Sequence, residues 1–546
     1  MRFTRFSAAI FITAALLAGC AAEGSSDNSS DTINETTNVT DTSAEATTIQ
    51  DDKADTDTIS ENLPVLSIET VDQSPDVMDF VYLPVSEHVS EAIASWTPGY
   101  DMPPAPYYED CSVTLTSPDG SLLIPPSEAK VKVRGNWTTN YPKKPLRIKF
   151  SEKQEIPGLN EGNSFKNWVL LAEYKDGSML RNKAALYAAR EILGADGYYA
   201  ADSDLVQVVI NGEYMGLYLL TEMQQTAKGR VDINEPERDY TGTDIGYFLE
   251  YDGYFLNEDE LHRFPLDLAD NAPLTPYDGK GGSGITVQCL PESDYDDKNA
   301  AGITIKSDIY SQEQHDFIAD RINNTYRIMY EAAYNHKAYV FGEDQRSISE
   351  TSEITPRQAV ENVVDVKSLV DMYIISELTC DADIYWSSFY MDIDMSAEGS
   401  GKLRFEAPWD FDSAMGNRDR CIDGQGFYAS NIIPSADSNE YYSANPWLMV
   451  LAYEDWYQNM IRETWTKAAD NGVFDRTCQL ISDDSTALEE DFRRNYSKWN
   501  NLIDRSGFEE ELSEPAKLCF SEKAAADQLL QWLQSRIDFL DSQWHK

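Results

Sequence analysis

The feature that most restricts the fold of this chain is a strong hairpin pattern at residues 205–222, LVQVVINGEYMGLYLLTE. Two runs rich in β-branched and aromatic residues flank Asn211-Gly212, a pair that favours a type I′ turn. Similar runs occur earlier, at LPVLSIET, DFVYLPV and CSVTLTSPDGSLLI, the last around Pro118-Asp119-Gly120. The pattern predicts that the N-terminal half is built mainly from strands joined by tight turns.

One helix interrupts these strands. Alternating apolar residues predict strands at 129–150, interrupted by a Gly-containing turn, and a short buried strand at 169–172. Capping residues at 176–178 then precede a predicted helix from Met179 to Leu193, which Gly194 closes. GYFLEYD, residues 246–252, is a further predicted strand.

The pattern changes after residue 252. Residues 253–310 are rich in loop-forming residues, and amphipathic helices are predicted at about 312–341, 355–379, 444–470, 484–504 and 522–543. Between them, SSFYMDID and GKLRFEAPWD form a predicted pair of strands. Most Trp and Tyr residues fall at core spacing, such as Trp532 near Leu533 and Leu540. We therefore predict an α+β, two-lobed protein with a β-rich first half.

The N-terminus resembles an export signal. Arg2 and Arg5 precede an apolar run that is too short to cross a bilayer. Leu17-Ala18-Gly19-Cys20 resembles a bacterial lipobox, which predicts lipidation of Cys20; the alternative is an ordinary signal peptide with a chance cysteine. The predicted parts are a signal peptide at 1–19, a disordered acidic tether at 20–62, a β-rich region at 63–252 and a second region at 253–546.

Charge and cysteine spacing exclude some functions. The chain has 546 residues and a formal net charge of -50, which repels phosphate backbones and argues against a nucleic-acid partner. No Cys-x-x-Cys spacing occurs and the five histidines are scattered, which argues against a zinc site. Export would permit disulfides among the other six cysteines, with their pairing left open.

Two acidic motifs are candidates for chemistry. PWDFD places Asp410 and Asp412 beside aromatic residues, where an uncompensated carboxylate is costly. A divalent cation, calcium included, or an arginine would each neutralise them. CDADIYWSSFY contains Asp383, which on its own is more typical of solvated surface or a helix cap. We interpret Asp392 and Asp394 as solvated surface.

The order of the elements is similar to that of protein kinases. Basic strand residues, a helix, a hairpin, a further strand and a helical lobe follow one another as in a kinase-like fold. No Gly-x-Gly-x-x-Gly motif lies in the strand-rich first half, where a kinase would carry it, and His-Arg-Asp is absent. The pattern alone leaves kinase chemistry as one hypothesis among several.

A family resemblance favours that hypothesis. Five motifs occur in one order: VRGNWTTNYPKKPLRIKF, LLAEYKDGSMLRNK, INGEYMGLYLLTE, YFLEYD and PWDFDSAMG. Together they resemble the spore-coat protein H (CotH) kinase family over residues 110–420, with a compatible helical tail. The resemblance implies an atypical protein-kinase-like fold that transfers phosphate from ATP, with Mg²⁺ or Mn²⁺, to Ser or Thr of protein substrates.

The same resemblance implies roles for single residues. Asp383 matches the catalytic aspartate, and Asp410 matches the metal-binding aspartate, with Asp412 as a second ligand or a turn cap. Glu250 lies near the expected hinge, and Lys143 is expected on the solvated surface. The implied nucleotide-binding residues are Arg134, Lys144, Glu222 (paired with Lys144), Asp176 and Arg181. For Asp176 and Arg181 a helix cap and an ion pair are equally open.

One position departs from the family. Where the family has a metal-binding asparagine, five residues after the catalytic aspartate, this chain has Ser388. A serine hydroxyl can bind Mg²⁺ but reaches less far than an amide. A catalytically silent surface protein that binds cell-wall or matrix partners is therefore the alternative to a lipid-anchored extracytoplasmic kinase. A polysaccharide-binding module is a third hypothesis, based only on aromatic content and surface location.

Overall fold

The computed structural model describes residues 62–85, 102–268, 272–277, 279, 302–419, 421–435 and 438–546. The predicted signal peptide, Cys20 and all but the last residue of the predicted tether lie outside these residues, as does Cys289. Among the described residues, none of the helices has the length and apolarity needed to cross a membrane.

Seven strands of the first region close into a barrel. Their spatial order is β1-β2-β3-β4-β5-β7-β6, and β6 closes the ring by pairing in parallel with β1. The other neighbours are antiparallel. Closure leaves no long unpaired strand edge. The strands are β1 (Val65–Thr70), β2 (Glu109–Thr116), β3 (Leu122–Val133), β4 (Leu146–Gln154), β5 (Phe165–Leu171), β6 (Ser203–Ile210) and β7 (Glu213–Glu222).

Both predicted hairpins of the barrel are confirmed. β2 pairs with β3 across the Pro118-Asp119-Gly120 turn, and β6 pairs with β7 across Asn211-Gly212. Asn211 and Gly212 have φ of 51° and 77°, the positive values that a type I′ turn requires.

The segment DFVYLPV does not form the predicted strand. Its first residues form a single helical turn, α1 (Asp79–Tyr82), which buries Phe80 and Val81 next to each other. The prediction was wrong because a short apolar run has no periodicity that separates a strand from a buried helical turn.

The predicted helix after β5 is confirmed. It is α2 (Arg181–Leu193), which begins two residues later than predicted. Its buried face packs in a core that also contains Val169, Leu205 and Leu217 on the outer side of the barrel. A second, separate core fills the barrel with side chains such as Val131 and Ile148. The barrel is thus packed on both sides.

A second sheet lies in the C-terminal part. Its order is β14-β13-β8-β10-β9, and β8 pairs with β13 from Gly246–Asp394 to Tyr251–Phe389. The segment 246–252 is a strand, as predicted, but it belongs to this sheet and not to the first region. The strands of this sheet are β8 (Gly246–Asp252), β9 (Arg263–Pro265), β10 (Gly302–Ile305), β13 (Phe389–Asp394) and β14 (Arg404–Phe405). Two further strand pairs are separate from this sheet: β11 (Ala338–Phe341) with β12 (Ile348–Thr351), and β15 (Ile433–Ser435) with β16 (Ser438–Ser443).

Helices surround the second sheet, with boundaries that partly differ from the predicted ones. The first ends at Asn335 because His336 turns left-handed, and the segments 355–379 and 444–470 each divide into two. Two helices of this part, Val473–Ala487 and the short Glu514–Lys517, were not predicted. The helices are α3 (Gln312–Asn335), α4 (Pro356–Val363), α5 (Val366–Thr379), α6 (Pro446–Met449), α7 (Asp455–Asp470), α8 (Val473–Ala487), α9 (Glu489–Trp499), α10 (Glu514–Lys517) and α11 (Glu522–Trp544).

The protein is α+β, as predicted, with a β-rich region followed by helices. A kinase-like two-lobed fold is not confirmed. The first region is a closed barrel, and the strand expected at the hinge pairs inside the second sheet, between β13 and β10. Trp532, Leu533 and Leu540 are buried, as expected from their spacing.

Candidate active site

Both acidic motifs contain residues in unusual backbone conformations. Cys380, Ser388 and Asp410 have φ of 46°, 59° and 73°, which side-chain-bearing residues rarely adopt. The Met415 N–H donates to the Thr379 carbonyl (2.7 Å) and so connects the turn after β14 to the end of α5. Such strain persists where the surrounding structure imposes it and is common at functional sites.

The structure brings four aspartates of these turns together. Burial, then the like charges of Asp412 and Asp383, raise the pKa of Asp410 to about 8. Burial also raises the pKa of Asp381 well above its usual range, and Asp383 adds to this effect. The Asp383 N–H donates to Asp381 Oδ1 (3.0 Å). We call Asp381, Asp383, Asp410 and Asp412 the acid cluster.

Lys175 forms an ion pair with this cluster and was not among the predicted site residues. Its Nζ lies 3.2 Å from Asp412 Oδ1 and 3.6 Å from Glu511 Oε2. Burial acts to lower the pKa of Lys175, but Asp412, Tyr141 and Glu511 together raise it well above its usual range. The available signal was its place in the LLAEYKDGSMLRNK motif, directly before Asp176.

Arg134 is the second cation that acts on the acid cluster. Its guanidinium lies 5.7 Å from the centre of the Trp409 ring, and its charge opposes the rise in the pKa of Asp410. It lies at the start of the β3–β4 loop, whose ends are joined by the Arg134 N–H and the Pro145 carbonyl (3.0 Å). Gly135, with φ of 109°, allows this turn, since a Cβ there would lie 2.4 Å from Thr138 Oγ1.

Lys144 lies in the same loop but does not form the expected ion pair. Its Nζ donates to the carbonyls of Thr139 (2.6 Å) and Tyr141 (3.1 Å). Burial lowers its pKa to about 8. Glu222 instead pairs with Arg230, with 3.0 Å between Oε1 and Nε, so the predicted Glu222–Lys144 pair was wrong.

Lys143 is buried, whereas the sequence predicted a surface position. Its amine donates to the Leu217 carbonyl and to Asn495 Oδ1 (3.0 Å), and it lies 4.4 Å from the centre of the Tyr218 ring. Burial lowers its pKa well below the usual range, and Glu173 opposes that effect. Lys143 therefore connects the barrel to α9.

Asp176 and Arg181 form the helix cap and ion pair that the sequence left open. Asp176 Oδ2 accepts the N–H groups of Leu180 (3.1 Å) and Arg181 (2.9 Å), and the Arg181 guanidinium pairs with the other oxygen. Both side chains are buried. Direct contact of this pair with a nucleotide stays a prediction.

The start of α2 also holds the turn that contains Asp410. Asn182 Oδ1 accepts the Phe411 N–H (2.8 Å), while its Nδ2 donates to Glu173 (3.0 Å). Asn417 Nδ2 donates to the carbonyls of Asp412 (2.7 Å) and Lys175 (3.2 Å). These amides fix the acid cluster relative to Lys175, and the sequence offered no signal for them except the motifs that contain them.

Ser388 is held through its backbone. Its N–H donates to Glu250 Oε1 (2.9 Å), and Glu250 Oε2 pairs with Lys306 Nζ at 3.0 Å. Glu250 therefore lies in the second sheet, beside the acid-bearing turn. Asp392 was predicted to be solvated, but it is buried and pairs with Arg404 at 2.8 Å.

The chemistry of the acid cluster fits a cation that is held only partly by protein. In the described part of the chain, no three His, Cys, Asp or Glu residues are arranged to hold a metal ion by themselves. Mg²⁺ is usually bound by one or two carboxylates together with substrate phosphates and water. Asp410, largely surrounded by protein and close to Asp412 and Asp383, fits that smaller requirement.

These features define an α+β protein with a strained, acid-rich site at the junction of a barrel and a second sheet. The family model described as CotH kinase protein matches residues 131–540, which is more than half of the chain. The chain therefore belongs to the CotH kinase family, as its motifs predicted. Among curated proteins, none matches this chain significantly.

Proposed function

We propose that this protein is a metal- and ATP-dependent phosphotransferase of the CotH type that modifies Ser or Thr of extracytoplasmic proteins. The observation that carries the proposal is that the turns after α5 and β14 bring Asp383, Asp410 and Asp412 together near Lys175, whose Nζ lies 3.2 Å from Asp412 Oδ1. Carboxylates that are kept together against their own repulsion are typical of sites that act on charged ligands. The family membership supports the same chemistry.

Asp410 and Asp412 are the residues that would hold the metal, with Ser388 beside them. A divalent cation held by these residues would supply positive charge that offsets the charge of the substrate phosphates. Lys175 pairs with Asp412, so it orients that carboxylate and limits the negative charge of the site. The shorter reach of Ser388 predicts a loosely held second metal.

Asp383 would orient a substrate hydroxyl and accept its proton. Its turn is fixed by Asp381, which accepts the Asp383 N–H. Arg134 is the residue that would face phosphate, since it acts on Asp410 from a half-buried position over Trp409. We assign Lys144 to holding the loop of Arg134, because its amine donates to two carbonyls of that loop.

Incubation of the full chain with γ-labelled ATP and Mg²⁺ or Mn²⁺, followed by mass-spectrometric mapping of phosphosites, tests the proposal. Phosphate on Ser or Thr, lost in Asp410→Asn, is the expected result. Asp232→Asn is the matched control, because Asp232 is exposed. Calorimetry that finds no ATP binding with either metal, even in Ser388→Asn, would favour the second candidate, a silent surface protein, which the serine at position 388 supports.

The proposed location is the outer side of a bacterial membrane, through a lipid on Cys20. Such an anchor with more than one acyl chain gives stable attachment. In fractionated cells, Cys20→Ala should move the protein from the membrane to the soluble fraction. Unchanged membrane retention would contradict the lipid anchor and leave the chemical proposal untouched.

A further inference from the structure

Two cysteines flank the acid cluster along the chain. Cys380 is the residue that ends α5, directly before Asp381, and Cys421 lies in the loop that follows the turn of Asp410. Between them lies the whole acid-bearing segment, from Asp381 to Asp412.

Helix α11 holds the two cysteine-bearing segments against each other. The Arg536 guanidinium donates to the carbonyl of Glu377 (2.6 Å), one turn before Cys380, and to the carbonyl of Gly424 (3.1 Å), three residues after Cys421. Trp532 Nε1, one turn earlier in α11, donates to the Cys421 carbonyl (2.6 Å). Arg536 is itself fully buried, so this arrangement belongs to the core.

The two thiols lie close to each other and to the Arg536 guanidinium, which acts on both. Cys380 Sγ lies 3.5 Å from the Glu377 carbonyl and is buried, whereas Cys421 is half-buried. A dithiol with one accessible sulfur and one buried neighbour is the arrangement that thiol–disulfide exchange requires.

The pKa values of the two thiols are shifted in opposite directions, which favours Cys421 as the attacking sulfur. The neighbouring Cys380 thiol, with the charge of Arg536, lowers the pKa of Cys421 although burial opposes it. Burial raises the pKa of Cys380 well above its usual range. Burial also raises the pKa of Cys111 to about 12 and that of Cys478 to about 11, so neither shares this property.

We propose that Cys380 and Cys421 form a reversible disulfide that covalently joins the two acid-bearing turns. The Cys421 thiolate attacks a small-molecule disulfide, forms a mixed disulfide and releases one thiolate. Cys380 then loses its proton and attacks the Cys421 sulfur, and the second thiol leaves with that proton. Both cysteines are oxidised, the small disulfide is reduced to two thiols, and no metal or nucleotide takes part.

The disulfide would close a loop that contains Asp383, Ser388 and Asp410. Cross-links stabilise chiefly by restricting the unfolded chain, and more so for longer loops. The turn after β14 is already connected to the end of α5 by the Met415–Thr379 hydrogen bond, and Arg536 contacts both cysteine-bearing segments, so the cross-link joins parts that the fold already holds together. The oxidised protein should therefore unfold at a higher temperature than the reduced one.

The test uses the full chain, reduced and then equilibrated with oxidised glutathione. Free thiols are alkylated, and the protein is digested and mapped by mass spectrometry. A peptide linking Cys380 to Cys421, with Cys111, Cys478 and Cys519 alkylated, together with a higher melting temperature, is the expected result. Alkylation of both Cys380 and Cys421, a stable glutathione adduct on Cys421, or a bond from Cys421 to Cys289 would overturn the proposal.

Two variants sharpen the test. Cys421→Ser should remove both the linked peptide and the rise in melting temperature upon oxidation, whereas Cys478→Ser, at a similarly half-buried cysteine, should keep both. Oxidation that still raises the melting temperature of Cys421→Ser would assign the effect to other cysteines. These measurements do not depend on phosphotransfer, so they can succeed or fail independently of the proposed function.

Discussion

The barrel and the acid-bearing turns differ in the charged groups that surround their carboxylates. In the barrel, Glu222 is completely buried, but Arg230 pairs with it at 3.0 Å, and Asn160 and the Asp202 N–H provide further hydrogen bonds. In the turns after α5 and β14, burial and neighbouring carboxylates raise the pKa of Asp410 to about 8. Glu222 in the barrel is paired with a cation of the protein, while Asp410 in the turns has like charges as its neighbours.

This difference in surrounding charge makes the turns, and not the barrel, the candidate location of a functional site. A compensated ion pair such as Glu222–Arg230 connects strands and needs nothing from outside. The acid cluster has Lys175 and Arg134 as nearby cations, and Lys175 also faces Glu511. A cation from solution would therefore improve the electrostatics of the turns and not those of the barrel.

The largest expected effect is the loss of phosphotransfer when an aspartate of the turns is replaced. Asp410→Asn should abolish phosphotransfer with Mg²⁺ and with Mn²⁺, because it removes a charged metal ligand. Asp383→Asn should keep ATP binding but lower the rate by roughly a hundredfold or more, the usual contribution of a positioned acid–base group. Calorimetric ATP titration beside turnover measures both. If Asp383→Asn retained full turnover, Asp383 would lose the catalytic role.

The second-largest expected effect is a loss of stability when the cation that pairs with Glu222 in the barrel is removed. Arg230→Met leaves Glu222 buried without its cation, which should lower the free energy of unfolding by about 3–5 kcal/mol. The guanidinium also lies 3.7 Å from the centre of the Phe165 ring, so packing is lost as well. Urea unfolding measures the change.

Arg493→Met is the matched control for that experiment. Its ion pair with Glu490 is exposed, with 67% and 72% of the two side chains accessible, so little stability should be lost. Equal losses in the two variants would mean that burial does not decide the contribution of ion pairs in this protein.

The third effect concerns pH. The pKa of Asp410 in the folded protein, about 8, lies above its ordinary value of 3.8. The native state therefore favours the protonated carboxyl, and the stability from this group, complete below about pH 4, is lost as the pH rises through 8. Without metal, the melting temperature of Asp410→Asn minus that of wild type should increase across this range.

Divalent cations and a control variant complete the pH experiment. Mg²⁺ should raise the melting temperature of wild type at pH 8 more than that of Asp410→Asn, because only the wild type gains a bound cation. Asp232→Asn should follow wild type throughout. A constant difference between Asp410→Asn and wild type from pH 4 to pH 9 would contradict a raised pKa at Asp410.

The smallest effect refines the metal site. Ser388→Asn restores the amide that the family has at this position, which should raise activity with Mg²⁺ more than with Mn²⁺. Mg²⁺ demands near-ideal octahedral geometry, whereas Mn²⁺ is expected to tolerate a poorer ligand set. Initial rates with each metal provide the comparison. An equal gain with both metals would mean that the side chain acts on something other than metal geometry.

Local patterns predicted much of the fold. Turn residues such as Asn211-Gly212 and the alternation of 246–252 act over a few residues, so the sequence displays them directly. The parallel contact between β1 and β6, which closes the barrel, joins segments more than a hundred residues apart and has no local signal. The same limit explains why the strand 246–252 was assigned to the first region.

For the candidate site residues, too, local motifs could be predicted from the sequence and distant contacts could not. Asp383 and Asp410 could be selected because each stands in a recognisable motif. Lys175 and Asn182 stand in a motif too, but their value depends on contacts with Asp412 and Phe411 more than two hundred residues away. Lys143 and Asp392 were expected at the surface and are buried, since burial depends on packing with distant segments.

The sequence by itself determined the strands of the barrel, most helices, the acid-rich motifs and the family, because these depend on neighbours along the chain. Only the tertiary structure decided which charges compensate each other. Coulomb interactions depend on distance and burial in space, and these were fixed when the turns after α5 and β14 met beside Lys175. Arg230 neutralises Glu222 inside the barrel for the same reason, while Asp410 keeps Asp412 and Asp383 as its neighbours.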